Sequence, residues 1–274
     1  MDTTNSKSKT IVLIHGLWLS ALSWENWVER YRRRGYQVIA PSWPGMERDV
    51  ASLRADHSAI DNLGITEIVD HYESIIRELP GEPMLMGHSM GGVIVQILLD
   101  RGHGAAGVAI DPGPIKGVLS LPLSALRSAF PAIKNPANNH RAVMLTPDQF
   151  HYAFTNTMTL GESARTYERY AVPGPGRVLF QAALANFNPN ATTRVDFHND
   201  KRAPLLLIAG GADHTAPPAV TRAEAKLQGK SFALTAYREF PGRSHFTVGQ
   251  EGWEEVADFA LAWAENPVEL ENPK

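Results

Sequence analysis

The feature that most constrains this chain is a serine set among glycines where an apolar strand meets an apolar helix. Met84-Leu85-Met86 passes directly into Gly87-His88-Ser89-Met90-Gly91-Gly92, and an apolar helical pattern continues from Met90 to Leu99. A strand that turns into a helix within so few residues bends sharply. Glycines two positions before and after the serine remove side chains that would clash in that bend. The turn exposes the serine hydroxyl and aims the helix N-terminus at the charge that develops when the hydroxyl attacks. In this strand–turn–helix setting, G-x-S-x-G reads as a nucleophile elbow. A serine hydroxyl is a weak nucleophile by itself, so the reading requires a base elsewhere in the chain.

The remaining sequence supplies the sheet that such a turn needs. Ile11-Val12-Leu13-Ile14, ending at His15-Gly16, is too short for a helix and reads as a buried strand. A helix follows from about Ser23 to Arg34, with Trp24, Trp27, Val28 and Tyr31 on one face and Gly35 as its cap. Its last-turn Arg32-Arg33-Arg34 complements the helix dipole. Further strands are expected at Gln37–Ala40, Val108–Ile110, Leu205–Ala209 and, more weakly, Leu234–Phe240, with a polar connection after Pro41. Helices are expected at Thr66–Leu79, Pro218–Leu227 and a final stretch carrying Trp253, Val256, Phe259, Ala260 and Trp263. Strand alternating with helix predicts a mostly parallel sheet of about six strands with helices on both faces. The rhythm breaks between about Pro112 and Arg202, a proline-rich section of short helical patterns. This divides the chain into a core of residues 1–111 and 203–274 and an inserted helical cap at 112–202.

Composition narrows the function. With 274 residues, 43% hydrophobic and 20% charged, the chain can bury a core. The balance of 26 Lys and Arg against 29 Asp and Glu gives a net charge of −3, which does not point to nucleic acid or an anionic membrane as partner. There is no cysteine, so a disulfide, a thiolate metal site and a cysteine nucleophile are excluded. The polar stretch Met1–Thr10 does not read as a signal peptide, and no run reaches the length of a membrane span, so a cytoplasmic protein is expected. His57, His71, His151, His198 and His214 show no metal-ligand spacing, and neither a metal nor a cofactor is expected. Gly102-His103-Gly104-Ala105-Ala106-Gly107 matches G-x-G-x-x-G in letters only; it follows a helix and precedes a strand, the reverse of a dinucleotide site.

With His15-Gly16-Leu17 after the first strand, the Ser89 elbow after the third, an acid after a late strand and a histidine after the last, the chain resembles the α/β-hydrolase superfamily from Lys9 to Trp263. The resemblance implies the α/β-hydrolase fold in a compact form and the order nucleophile, acid, histidine. Ser89, Asp213 in Gly210-Gly211-Ala212-Asp213-His214-Thr215-Ala216-Pro217, and His245 in Gly242-Arg243-Ser244-His245-Phe246 fit that order. The N–H groups of Leu17 and Met90 are the expected oxyanion donors. His15 is expected to organise its loop rather than to act as a base. Asp111, in Ile110-Asp111-Pro112-Gly113, is the alternative acid.

Ser89 argues against the related dehalogenases and epoxide hydrolases, which use an aspartate nucleophile. Phe246 stands where similar hydroxynitrile lyases carry a lysine. A small-molecule substrate and carboxylic ester hydrolysis are the expectation. Lactone, thioester and carbon–carbon hydrolysis, and a ligand receptor on a hydrolase scaffold, stay open, because the fold does not choose among them. Trp18, Trp43, Phe130, Phe150, Tyr152, Phe154 and Phe180 are candidate pocket residues, and Leu119–Leu126, Phe150–Phe154 and Val178–Phe187 are the cap stretches expected to supply its apolar wall. The sequence does not speak to oligomeric state.

Overall fold

The computed structural model describes residues 9–120 and 122–270. Residues 1–8 of the polar N-terminal stretch, and Leu121 within the first cap stretch, lie outside these. Six strands form one parallel sheet: β1 (Thr10–Ile14), β2 (Gln37–Ile39), β3 (Met84–His88), β4 (Ala106–Ile110), then, beyond the two short strands of the cap, β7 (Leu205–Gly210) and β8 (Thr235–Phe240). Their order is β2-β1-β3-β4-β7-β8, with every adjacent pair parallel. Every residue of β1, β3, β4 and β7 is buried, whereas the edge strands β2 and β8 are only partly buried. Helices covering both faces leave the central strands no solvent side, which is why they read as continuous apolar runs.

On one face lie α1 (Glu25–Arg33) and α10 (Trp253–Glu265). They are joined by Tyr31 Oη donating to the Ala257 carbonyl at 2.7 Å, by Arg30 and Arg34 on Asp258, and by the rings of Trp27 and Trp253. The arginine run of α1 thus has side-chain partners as well as a helix end to complement. On the other face lie α3 (Ile65–Arg77), α4 (Met90–Asp100) and α9 (Pro218–Gln228). The polar connection after Pro41 contains a short helix absent from the sequence reading, α2 (Val50–Ala55), capped by the Asp49 side chain accepting from the Ser52 N–H at 2.9 Å.

Between β4 and β7 the chain forms the cap: α5 (Leu123–Ile133), β5 (Ala142–Val143), α6 (Pro147–Phe154), α7 (Leu160–Tyr170), β6 (Gly174–Pro175) and α8 (Gly176–Ala183). Thr146 with Gln149, and Thr159 with Glu162, make reciprocal capping boxes that start α6 and α7. The cap is helical as expected. Its one addition is the antiparallel two-residue pair β5–β6, too short to give a periodic signal.

The sheet and α4 meet at a backbone-on-backbone contact. A Cβ on Gly91 would collide with the Ile14 and His15 carbonyls, and one on Gly87 with the Gly91 carbonyl. Backbone on both sides cannot yield as a side-chain tip can. Gly91→Ala is therefore expected to destabilise the fold by about 3 kcal/mol or more. Gly81→Ala, at a site with no heavy atom within 4 Å, should leave the urea midpoint nearly unchanged. Equal midpoints for the two variants would contradict this packing.

Candidate active site

Three central strands end at the same edge of the sheet, and each is followed closely by a strained residue. Trp18 (φ 64°), Ser89 (φ 54°) and Asp111 (φ 46°) are the non-glycine residues with positive φ among the described residues. They follow β1, β3 and β4. Such backbone costs about 1–3 kcal/mol per residue and persists only where its surroundings hold it. The Ser89 N–H donates to the Ile110 carbonyl at 2.9 Å, which pins the elbow to β4.

Ser89, His245 and Asp213 form one hydrogen-bonded chain. The Ser89 hydroxyl lies 3.0 Å from His245 Nε2, and His245 Nδ1 donates to Asp213 Oδ2 at 2.6 Å. With Nδ1 protonated, Nε2 is free to accept the serine proton. Asp213 Oδ1 accepts from the Thr215 and Ala216 N–H groups at 2.6 and 3.0 Å. This local turn holds the carboxylate through contacts independent of the histidine. The His245 ring packs edge-on against Phe154 of α6 at 4.8 Å, and its carbonyl accepts from His88 Nε2 at 2.7 Å.

The neighbouring histidines stay neutral. Burial lowers His15 to about 4. Its Nε2 accepts from the Trp43 N–H at 3.2 Å, its Nδ1 donates to the Gly16 carbonyl at 3.0 Å, and its ring stacks on Trp43 at 4.7 Å. His15 thus braces the loop that carries Leu17 and makes no hydrogen bond to Ser89. Burial, then the proximity of His245, holds His88 well below the usual histidine value. His88, Asp111 and His245 present potential ligand atoms within 4.8 Å of one another, but both ring nitrogens of His245 are already committed to Asp213 and Ser89.

Asp111 lies next to this chain but outside it. Its Oδ1 accepts from the Gly210 N–H, and its Oδ2 has no hydrogen-bond partner among the described residues. Burial, then the nearby Asp213 carboxylate, push Asp111 well above the usual carboxylate range.

A cavity of about 300 Å³ opens onto Ser89. Leu17, Trp18 and Met90 border it beside the serine; Ala125, Leu126, Ala129 and Ile133 of α5 form one wall, and Leu179, Ala182 and Ala183 of α8 with Leu184 another. Among the described residues, no charged side chain lines it. Two depressions of about 430 and 420 Å³, over α9–β8 and beside α3, are larger but open and lined by charged residues, and neither touches Ser89. Of the aromatic candidates only Trp18 reaches the cavity. Trp43 is buried on His15, Phe150 stacks on Phe154 in the core, Tyr152 packs on His214, and Phe130 is exposed. The cavity is walled by α5 and α8, so Phe150–Phe154 supports His245 instead of lining it.

Two supports of this site lie outside the motifs read from the sequence. Trp18 Nε1 donates to the Val143 carbonyl, and the Trp18 carbonyl accepts from the Val172 N–H, both at 3.0 Å. The loop after β1 is thereby tied to the cap. Beneath the cavity, buried Glu224 of α9 accepts from Gln96 Nε2 of α4 at 2.9 Å and from the Ile115 N–H at 3.1 Å. Burial pushes its carboxyl up to about 8. It joins the serine helix to the segment that carries Gly113 and Pro114 into the cavity wall.

The alpha/beta hydrolase family model matches residues 11–259, most of the chain. The chain belongs to the alpha/beta hydrolase family. No curated protein matches it significantly in sequence. Among solved structures it is similar to a monoacylglycerol lipase of Paleococcus ferrophilus, with 23% identity, 93% of each chain covered and a TM-score of 0.64. It is also similar to an extracellular alpha/beta-hydrolase of a Paenibacillus species, with 20% identity, 93% and 98% covered and a TM-score of 0.66. A pyrethroid hydrolase of Sphingobium faniae JZ-2 aligns with 18% identity, 94% and 98% covered and a TM-score of 0.65. At these identities the likeness shows the fold this hydrolase shares with them.

The two acids of this hydrolase are separable by substitution. An acid that orients the imidazole contributes about 10³–10⁴ in kcat, because its amide holds the wrong tautomer. Asp213→Asn should therefore lower kcat by about 10³-fold or more. Asp111→Asn replaces a buried carboxyl by a near-isosteric amide whose oxygen can still accept from Gly210, and Asn tolerates positive φ. Its kcat should stay within about threefold. The reversed pattern in folded variants would move the acid to Asp111.

Proposed function

We propose that the protein is a serine hydrolase that cleaves carboxylic esters with small to medium apolar acyl or aryl groups through an acyl-enzyme. The observation that carries this reading is the chain Ser89–His245–Asp213 opening into a cavity without charged lining. In this reading His245 Nε2 takes the Ser89 proton as Oγ attacks the carbonyl carbon. The N–H groups of Leu17 and Met90 bind the oxyanion. His245 returns the proton to the leaving alkoxide, and the alcohol departs. Water, deprotonated by His245, then attacks the acyl-enzyme and releases the acid, restoring the serine. Asp213 keeps the imidazole tautomer and offsets the positive charge of the imidazolium. The division into a core of 1–111 and 203–274 and a cap of 112–202 belongs to the same proposal, the cap shaping the acyl pocket.

The similar structures include a lipase, a pyrethroid hydrolase and polyneuridine aldehyde esterase, and those names favour an ester carbonyl over a carbon–carbon bond. Lactones and thioesters present the same electrophile to the same groups. Turnover number separates an enzyme from a receptor: many turnovers per molecule favour catalysis, near-stoichiometric labelling favours a receptor.

At about 30 Å³ per small group, the liquid volume of a water, the cavity takes on the order of ten non-hydrogen atoms. Each buried methylene contributes about 0.8 kcal/mol, or roughly fourfold. Across p-nitrophenyl esters, kcat/KM should rise from acetyl through hexanoyl and fall once the cavity is full. A hemisuccinate should be turned over at least about 100-fold more slowly than butyrate, since its carboxylate would be buried unpaired. A flat chain-length series, or efficient hemisuccinate turnover, would contradict the acyl pocket.

A further inference from the structure

The cap carries apolar surface that the folded chain does not cover. Leu123, Leu126 and Phe130 stand at i, i+3 and i+7 on α5, one helix face. Leu184 and Phe187 follow α8, three residues apart. All five are exposed, Leu123 by 84% and Phe187 by 86%. Leu126 and Leu184 also line the cavity over Ser89, so the patch surrounds the cavity mouth. Five such side chains expose several hundred Å², the scale at which an apolar patch on a single chain marks an interaction site.

Charge identifies what the patch meets. The chain as a whole is acidic, yet residues 112–202 hold ten Lys and Arg against five Asp and Glu. The two segments that form the patch, 116–134 and 177–190, contain Lys116, Arg127, Lys134 and Arg177 and no acidic residue. Arg127 and Lys134 are exposed and form no ion pair among the described residues; Arg127 lies over the Tyr152 ring at 4.0 Å. A second copy is a poor occupant. A two-fold interface sets a patch against itself, which would bring these cations together without an acid and close the cavity mouth. An anionic lipid surface takes up both the apolar side chains and the cations.

We propose that α5 and the Leu184–Phe187 segment dock on a lipid surface bearing anionic headgroups, and that an apolar ester passes from the lipid through the cavity mouth to Ser89. The docking stands on the surface alone; the delivery rests on the proposed ester hydrolysis. Net charge alone does not point to such a surface. Net charge averages over the basic cap and the more acidic core.

Binding is read on the full chain carrying Ser89→Ala, so that it does not depend on hydrolysis. The protein should co-sediment with vesicles of phosphatidylcholine and phosphatidylglycerol, and less with phosphatidylcholine alone. Leu123→Ser/Phe130→Ser/Phe187→Ser should weaken binding by more than about tenfold, and Arg127→Gln/Lys134→Gln by about fivefold per cation. With Ser89 restored, both sets should hydrolyse a water-soluble acetate ester at the unsubstituted rate, which shows the fold intact. Absence of vesicle binding, or binding unchanged by both sets, would overturn the surface. So would a concentration-dependent dimer in sedimentation equilibrium that the apolar set abolishes. Vesicle binding without any ester hydrolysis would overturn only the delivery.

Discussion

The close approach of α4 to β1 and β3 is the constraint on which the rest of the site depends. Because Gly91 lets helix backbone rest against the Ile14 and His15 carbonyls, the chain can turn at Ser89 with φ at 54°. The strained serine then stands at the helix N-terminus, and its hydroxyl faces the cavity. The same contact brings the loop after β1, with Leu17, beside Met90. A wider gap would relax the turn, withdraw the hydroxyl and separate the two N–H groups. The energy that holds this strain comes from the buried central strands and from the hydrogen bond between Ser89 and Ile110.

Around that turn burial shifts several ionisable groups toward their uncharged forms. Burial keeps His15 and His88 neutral and shifts Asp111 toward its protonated form. Asp213 differs in its hydrogen bonds: it accepts two backbone N–H groups and the His245 ring, whereas Asp111 accepts one backbone N–H, that of Gly210. That contrast, rather than proximity, separates two acids that end neighbouring strands. Asp111 ties β4 to the end of β7, from which the Asp213 loop departs.

The sheet was legible because burial on both faces forces apolar runs, and all six strands stand within a residue or two of where those runs end. Ser89, Asp213 and His245 could be named because each ends a strand in a distinctive loop. The cap was legible only as an interruption. Its pocket wall was misassigned at Phe150–Phe154, since apolar aromatic residues look alike in sequence whether they face a cavity or the back of a buried histidine. Trp18 gave no sign of its tie to Val143 and Val172, because a contact across more than a hundred residues leaves no local pattern. Glu224 did leave one: it follows Val220 by four residues, on the buried face of α9, where a carboxyl must find partners. α2 was missed because six residues are too few to establish a helical period.

The central claim is that the Ser89 hydroxyl is the nucleophile, activated by His245 and exposed by the turn. The intact mass of the protein after reaction with a fluorophosphonate tests it most directly. The account predicts one phosphonyl adduct on the unsubstituted chain, mapped by peptide mass to the segment holding Ser89, and none on folded Ser89→Ala. An adduct of the same yield on Ser89→Ala, or one mapped to another serine, would contradict it.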